Sequence, residues 1–170
     1  VEAAGSVEAL GPGEQGLGVG DRVGYAGPPV GSYAEARLYP AARLFPLPDA
    51  IDDETAAACM VKAMTAVCLL ERTISVTPGM RLLVHAAAGA TGLMCVQLAA
   101  HLGAEVFGTV SSDAKAALVS EHGCTHPLVY TRENFADRVL AITAGAGLDA
   151  VFDSVGRDTF ADSIRALGPF

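Results

Sequence analysis

The chain has 170 residues, of which 51% are hydrophobic and 18% charged, and its formal net charge is −8. The length suits one domain with a sizeable core, or parts of two. The composition excludes a disordered chain, and so few Lys and Arg exclude nucleic-acid and anionic-membrane partners, whose affinity rests on clustered cations.

No apolar run approaches the roughly 18 residues of a spanning helix, and no basic segment followed by an apolar stretch opens the chain, so no membrane association is expected. Cys59, Cys68, Cys95 and Cys124 form no CxxC pair and no Cys/His cluster at zinc-finger spacing. They are expected to be reduced, buried thiols, which fits a cytoplasmic protein.

Short β-type runs are expected first, over Ser6 to Leu10 and Asp21 to Ala26, with a third in "GSYAEARLYP". Gly and Pro cut them as they do in small antiparallel β structures. The character changes near Pro46 and Pro48. Asp52, Asp53 and Glu54 then suit the positive end of a helix dipole, and a long helix is expected to about Ser75.

From Arg81 strand and helix alternate. The order is "RLLVHA", a helix from Leu93 to Leu102, "EVFGTV", a helix from Asp113 to His122, "PLVY", a helix from Glu133 to Ile142, and "DAVFDSV". This alternation predicts a parallel sheet with crossover helices, in a doubly wound, Rossmann-type α/β fold. Gly103, Gly123 and Gly145 fall at helix C-caps, and Ser112 at an N-cap. Only four of the six strands usual for a dinucleotide fold are visible, and the sequence starts in a β-like run without Met, so a piece lacking both ends is expected.

In "AAAGATG", Ala87, Gly89 and Gly92 have the spacing of G-x-G-x-x-G with Ala first. Small residues there let backbone N–H groups approach a pyrophosphate, which a helix N-terminus stabilises. A tight strand-to-helix turn packed on a neighbour also accounts for them. The position inside a βαβ unit favours the nucleotide, and Gly92→Val is expected to weaken cofactor binding more than folding.

An NAD site usually places an acid at the end of the second strand. No acid stands at Thr109 or Val110; Ser111, Ser112 and Lys115 follow, able to donate hydrogen bonds and supply positive charge to a 2′-phosphate, with Asp113 an awkward neighbour. Lys115 as an ordinary solvated helix residue remains the alternative.

With those residues placed, "VEAAGSVEALG", "VGDRVGYAGP", "GSYAEARLYPAARLFPLPD", "MVKAMTA", "VHAAAGATG", "GAEVFGTV" and "VFDSVGRDTF" resemble, in order, segments of the quinone oxidoreductase (zeta-crystallin-like) branch of the medium-chain dehydrogenase/reductase superfamily. The resemblance implies part of a GroES-like β domain over residues 1–50, a connecting helix segment over 51–80 and part of a Rossmann domain over 81–170, with NADPH as cofactor. It implies cofactor contacts at Thr65, Tyr130 and Ser154, in addition to those read from the turn and the end of the second strand, Ala88, Gly89, Ala90, Thr91, Gly92, Ser111 and Lys115. The family usually has Gly-Val where Ala90 and Thr91 stand. Thr65 as a helix residue bonding its own backbone, Tyr130 as a strand-end aromatic and Ser154 as a turn-former are the plainer readings.

The structural zinc of related alcohol dehydrogenases needs a four-Cys lobe, which the stretch from Tyr33 to Pro48 lacks; Lys62 stands where a catalytic-zinc relative would offer a cysteine. The expected activity is zinc-independent, NADPH-dependent reduction of a quinone. An alkenal or enoyl double-bond reductase is the rival, and a non-catalytic NADPH-binding, crystallin-like protein the rival of another class. A conjugated carbonyl is the other substrate class, and a homodimer is possible. No catalytic residue is assigned: His85 reads as a hydrogen-bonded structural residue, and Asp153 equally as a site residue or a turn cap.

Overall fold

A computed structural model describes residues 1–169. It forms two compact units, Val1–Val61 and Lys62–Phe170.

In the first unit, β1 (Glu2–Ser6), β2 (Arg22–Ala26) and β3 (Phe45–Pro46) make an antiparallel sheet in the order β1-β2-β3, with Glu2 opposite Ala26 and Ser6 opposite Arg22. The first strand thus ends where Ser6 to Leu10 was expected to begin. One further pair of ladder bonds, Val7 N–H to Asp21 O and Gly20 N–H to Val7 O, closes it before Gly11, Pro12 and Gly13. The third expected run, 31–40, is no strand. The carbonyls of Pro28, Pro29 and Val30 are instead taken by the side chains of Arg37, Tyr39 and Arg43, so this segment is held by side chains and not by a ladder. Arg37 also lies over the stacked rings of Tyr25 and Tyr39, at 5.1 and 4.9 Å.

Helix α1 (Asp53–Val67) opens with the expected acids, and Asp52 accepts the Thr55 N–H at 2.6 Å. It continues as a π-helical turn over Cys68–Thr73, which accounts for the length read to Ser75.

The second unit holds β4 (Arg81–Val84), β5 (Glu105–Val110), β6 (His126–Val129) and β7 (Ala150–Phe152), all parallel and in the order β6-β5-β4-β7. Helices α2 (Ala90–His101), α3 (Asp113–Glu121) and α4 (Phe135–Ile142) cross between them, and α5 (Phe160–Ala166) follows β7. Successive strand residues face opposite sides, so the near-continuous apolar runs of β4 to β6 fill two cores. Leu82, Val84, Val106 and Val129 pack with Val96 and Ala99 of α2 and Val119 of α3. Leu83, Phe107 and Leu128 pack on the other side with Phe135, Ala136 and Val139 of α4 and Ala166 of α5. Each fully buried Leu or Phe contributes about 1.5–3 kcal/mol.

The predicted caps are present. Gly103, Gly123 and Gly145 adopt φ of 82°, 99° and 83°, and Ser112 Oγ accepts the Lys115 N–H at 3.4 Å. α4 starts two residues later than expected because Asn134 caps it, accepting the N–H groups of Ala136 and Asp137. Of the four free thiols, Cys95 and Cys124 are buried, whereas Cys59 is half-buried and Cys68 exposed; burial was expected of all four. Burial raises the Cys124 thiol pKa to about 11. Among the described residues no helix is long and apolar enough to cross a membrane.

Candidate cofactor cleft

β5 and β6 lie on one side of β4 and β7 on the other, so the connections leaving β4 diverge. Ligands of open α/β sheets bind at such a switch point, beyond the carboxyl ends of the strands. A cleft of about 590 Å³ occupies this place, wholly within the second unit. Its walls are the residues that follow each strand: Ala86, Ala88 and Gly89 after β4, Ser111 and Lys115 after β5, Tyr130 after β6, and Val155, Asp158 and Thr159 after β7.

The turn from β4 into α2 is tight. Ala86 takes a left-handed φ of 49°, and its carbonyl accepts the Gly89 N–H at 2.8 Å. A Cβ on Gly89 would stand 3.1 Å from that carbonyl oxygen, and one on Gly92 only 2.3 Å from it and 3.0 Å from Ala87 Cα. Gly92 is therefore required by the backbone itself, so the expectation that Gly92→Val would act mainly on cofactor binding is corrected: its first effect falls on the fold. Gly89 is the N-cap of α2 and offers no side-chain cap, which leaves the first-turn N–H groups for another acceptor.

Ala88, Gly89, Ser111, Lys115 and Tyr130 come together around the cleft. Ala90, Thr91 and Gly92 form the first turn of α2 beside it. Thr65, half-buried on α1, and Ser154, exposed just after β7, are not among its lining residues.

The electrostatics single out Lys115. Asp113, two residues away, is held by both terminal nitrogens of Arg132. The acids that line the cleft have arginine partners as well: Glu133 with Arg138 at 3.8 Å, Asp158 with Arg157 at 3.4 Å, and Asp162 with Arg165 at 3.0 Å. Lys115 lines the cleft and has no ion pair among the described residues. Ser111 and Tyr130 line the same cleft with their hydroxyl-bearing side chains, and the three together are a donor set that suits a phosphate.

The floor is polar and buried. His85, 2% exposed, has Nδ1 2.9 Å from Thr109 Oγ1 and Nε2 3.0 Å from Ser163 Oγ, with Phe135 edge-on to its ring. Burial lowers the imidazole pKa, while the charge of Asp153 works the other way. Asp153 is a turn cap. It accepts the N–H groups of Val155 and Gly156 and the hydroxyls of Thr159 and Ser163.

Thr109, Asn134, Val155, Asp158, Thr159 and Asp162 also line the cleft and were not anticipated as site residues. The signal that could have found them is positional: they lie at or just beyond the ends of β5, β6 and β7, where the switch-point rule gathers a site. Among the described residues no group of three or more His, Cys, Asp or Glu is placed to hold a metal ion.

Residues 90–170 match the family described as zinc-binding dehydrogenase. The chain is 46% identical over 170 residues to a 2-haloacrylate reductase of Burkholderia sp., covering 99% of this chain and 51% of that protein. It is 45% identical over 168 residues to a quinone oxidoreductase of Pseudomonas aeruginosa, covering 99% and 52%. Among solved structures, the quinone oxidoreductase of Escherichia coli complexed with NADPH superposes with a TM-score of 0.93 at 39% identity, over 98% of this chain and 51% of that one. The chain thus spans about half the length of the relatives it matches. In its parallel sheet, its small-residue turn at the switch point and these likenesses along almost its whole length, the chain is similar to the branch of the medium-chain dehydrogenase/reductase superfamily that holds the quinone oxidoreductases.

Proposed function

We propose that this chain carries the cofactor-holding part of a zinc-independent, NADPH-dependent oxidoreductase that reduces quinones. The observation that carries the reading is Lys115, without an ion pair among the described residues, lining one cleft with Ser111, Tyr130 and the small-residue turn at Gly89. A dinucleotide fits that arrangement: Gly89 carries no side chain at the cleft, and the α2 N-terminus has no side-chain cap to occupy its N–H groups.

In this reading the first-turn N–H groups of Ala90, Thr91 and Gly92 donate to the pyrophosphate, with Ala88 and Gly89 allowing its approach. Ser111, Lys115 and Tyr130 hold the 2′-phosphate, while Thr65 and Ser154 are the proposed contacts farther along the cofactor. When bound, the nicotinamide supplies the hydride. The P. aeruginosa and E. coli relatives are quinone oxidoreductases, and the latter was solved with NADPH, which supports both substrate and cofactor.

Reduction of an activated carbon–carbon double bond is the second reading, favoured by the 46% identity to a 2-haloacrylate reductase. NADPH oxidation by the protein, measured with 1,4-benzoquinone, with 2-chloroacrylate and with neither, separates the readings. Turnover with the quinone, persisting in the presence of a chelator, supports the proposal. Turnover with the acrylate alone favours the second reading, and NADPH binding without turnover would make this a cofactor-binding protein.

A further inference from the structure

Two walls of the cleft, the Ala86–Gly89 turn and the segment from Val155 to Thr159, follow the paired strands β4 and β7, and the buried ring of His85 lines the cleft with them. Ser163 has one proton and two acceptors for it besides His85, Asp153 Oδ2 at 3.0 Å and the Thr159 carbonyl at 2.9 Å. A carboxylate attracts that proton more strongly than a neutral imidazole nitrogen, because the hydrogen bond is charge-assisted. Ser163 Oγ is then an acceptor toward His85, so the imidazole proton sits on Nε2. Nδ1 is left as an acceptor and takes the hydroxyl proton of Thr109. Thr109 Oγ1 in turn accepts the N–H of Ala86, 3.3 Å away, the residue held at left-handed φ.

We infer that Thr109, His85, Ser163 and Asp153 form one directed hydrogen-bond chain, each donating to the next, in which neutral His85 is a positioning residue that sets the spacing of the phosphate turn from the opposite wall of the cleft. The inference rests on the cofactor reading above for its consequence, though not for its geometry. The groups facing the ring from every side are Thr109 on β5, Ser163 on α5, Phe135 on α4 and, through Ser163, the Asp153 carboxylate after β7. No second charge reaches it in this set. Because the pyrophosphate turn serves NADPH and NADH alike, the chain should govern affinity for both and discriminate between neither.

The test has two arms. Nitrogen-15 NMR of the imidazole in the unliganded protein at neutral pH should show His85 as the Nε2–H tautomer; the Nδ1–H tautomer or an imidazolium overturns the directed chain whatever the protein binds. In the second arm Thr109→Val, which keeps shape and removes the hydroxyl, should weaken NADPH and NADH equally, by roughly tenfold for one lost buried hydrogen bond, whereas Thr109→Ser should bind both nearly as wild type does. Unchanged affinities in folded Thr109→Val, or a change confined to one nucleotide, overturn the positioning role. Wild-type protein that binds neither nucleotide overturns it too, together with the cofactor reading, and leaves the tautomer to be decided by the spectrum.

Discussion

Arg132 grips Asp113 through both terminal nitrogens of its guanidinium, the Nη1 bond measuring 3.0 Å to Oδ2. This pair answers the difficulty posed by a carboxylate two residues from Lys115, since it gives Asp113 a cation of its own. Both side chains are well exposed, 61% and 75%, so the pair adds little to stability. Its effect is local. Arg132→Ala should leave the melting temperature nearly unchanged while lowering the NADPH to NADH affinity ratio by about two- to fivefold, from an interaction of roughly 0.5–1 kcal/mol. Titrations at low and high salt check this, and a ratio unaltered at low salt would count against it.

Gly92 gives the sharpest structural prediction. Its Cβ would lie 2.3 Å from the Ala86 carbonyl oxygen, a backbone atom that cannot swing away as a side chain can. Gly92→Ala should therefore destabilise the protein by at least about 3 kcal/mol, near the upper end of overpacking costs, and Gly92→Val by more. Urea unfolding measures it; a variant within 1 kcal/mol of wild type, on the scale of a tolerated swap, would mean that the turn relaxes.

How much of this was legible in the sequence depended on where each element finds its hydrogen bonds. Much of the second unit was, because its central strands are buried on both faces and its elements end on local signals: Leu82 to Val84, Ser112 and Gly103 each state their role locally. The first unit was less so. Whether 31–40 becomes a strand depends on a partner, and Arg37, Tyr39 and Arg43 supply side-chain bonds in place of one. Of the residues that line the cleft, Ser111 and Lys115 were read from type and place after a strand, and Tyr130 from the family resemblance. The isolation of Lys115 was hidden, since it follows from Arg132, Arg138, Arg157 and Arg165 each meeting an acid.

Asp153 should make the fold sensitive to acid. Burial opposes its ionisation, but hydrogen bonds from Gly156, Thr159, Val155 and Ser163 outweigh burial and hold its pKa at about 2. The unfolded carboxyl titrates near 3.9, so the unfolded chain takes up the proton first as pH falls. The contribution of this group is thus present above about pH 4 and lost as pH drops toward 2, amounting to about 2 kcal/mol. Unfolding free energies of wild type and Asp153→Asn over pH 5 to 2 should converge by about that amount. Parallel curves would show that Asp153 is not held as described.

The central claim is that the cleft selects a 2′-phosphate through Lys115, and calorimetric titration of wild type and Lys115→Ala with NADPH and NADH tests it most directly. A charge-assisted contact of about 1.5–3 kcal/mol corresponds to roughly a ten- to hundredfold change in affinity. Wild type should prefer NADPH, with a preference that shrinks as salt screens the phosphate. Lys115→Ala should lose NADPH affinity by that factor and keep its NADH affinity. Equal NADPH to NADH ratios in the two proteins, or a wild type that prefers NADH, would contradict the account.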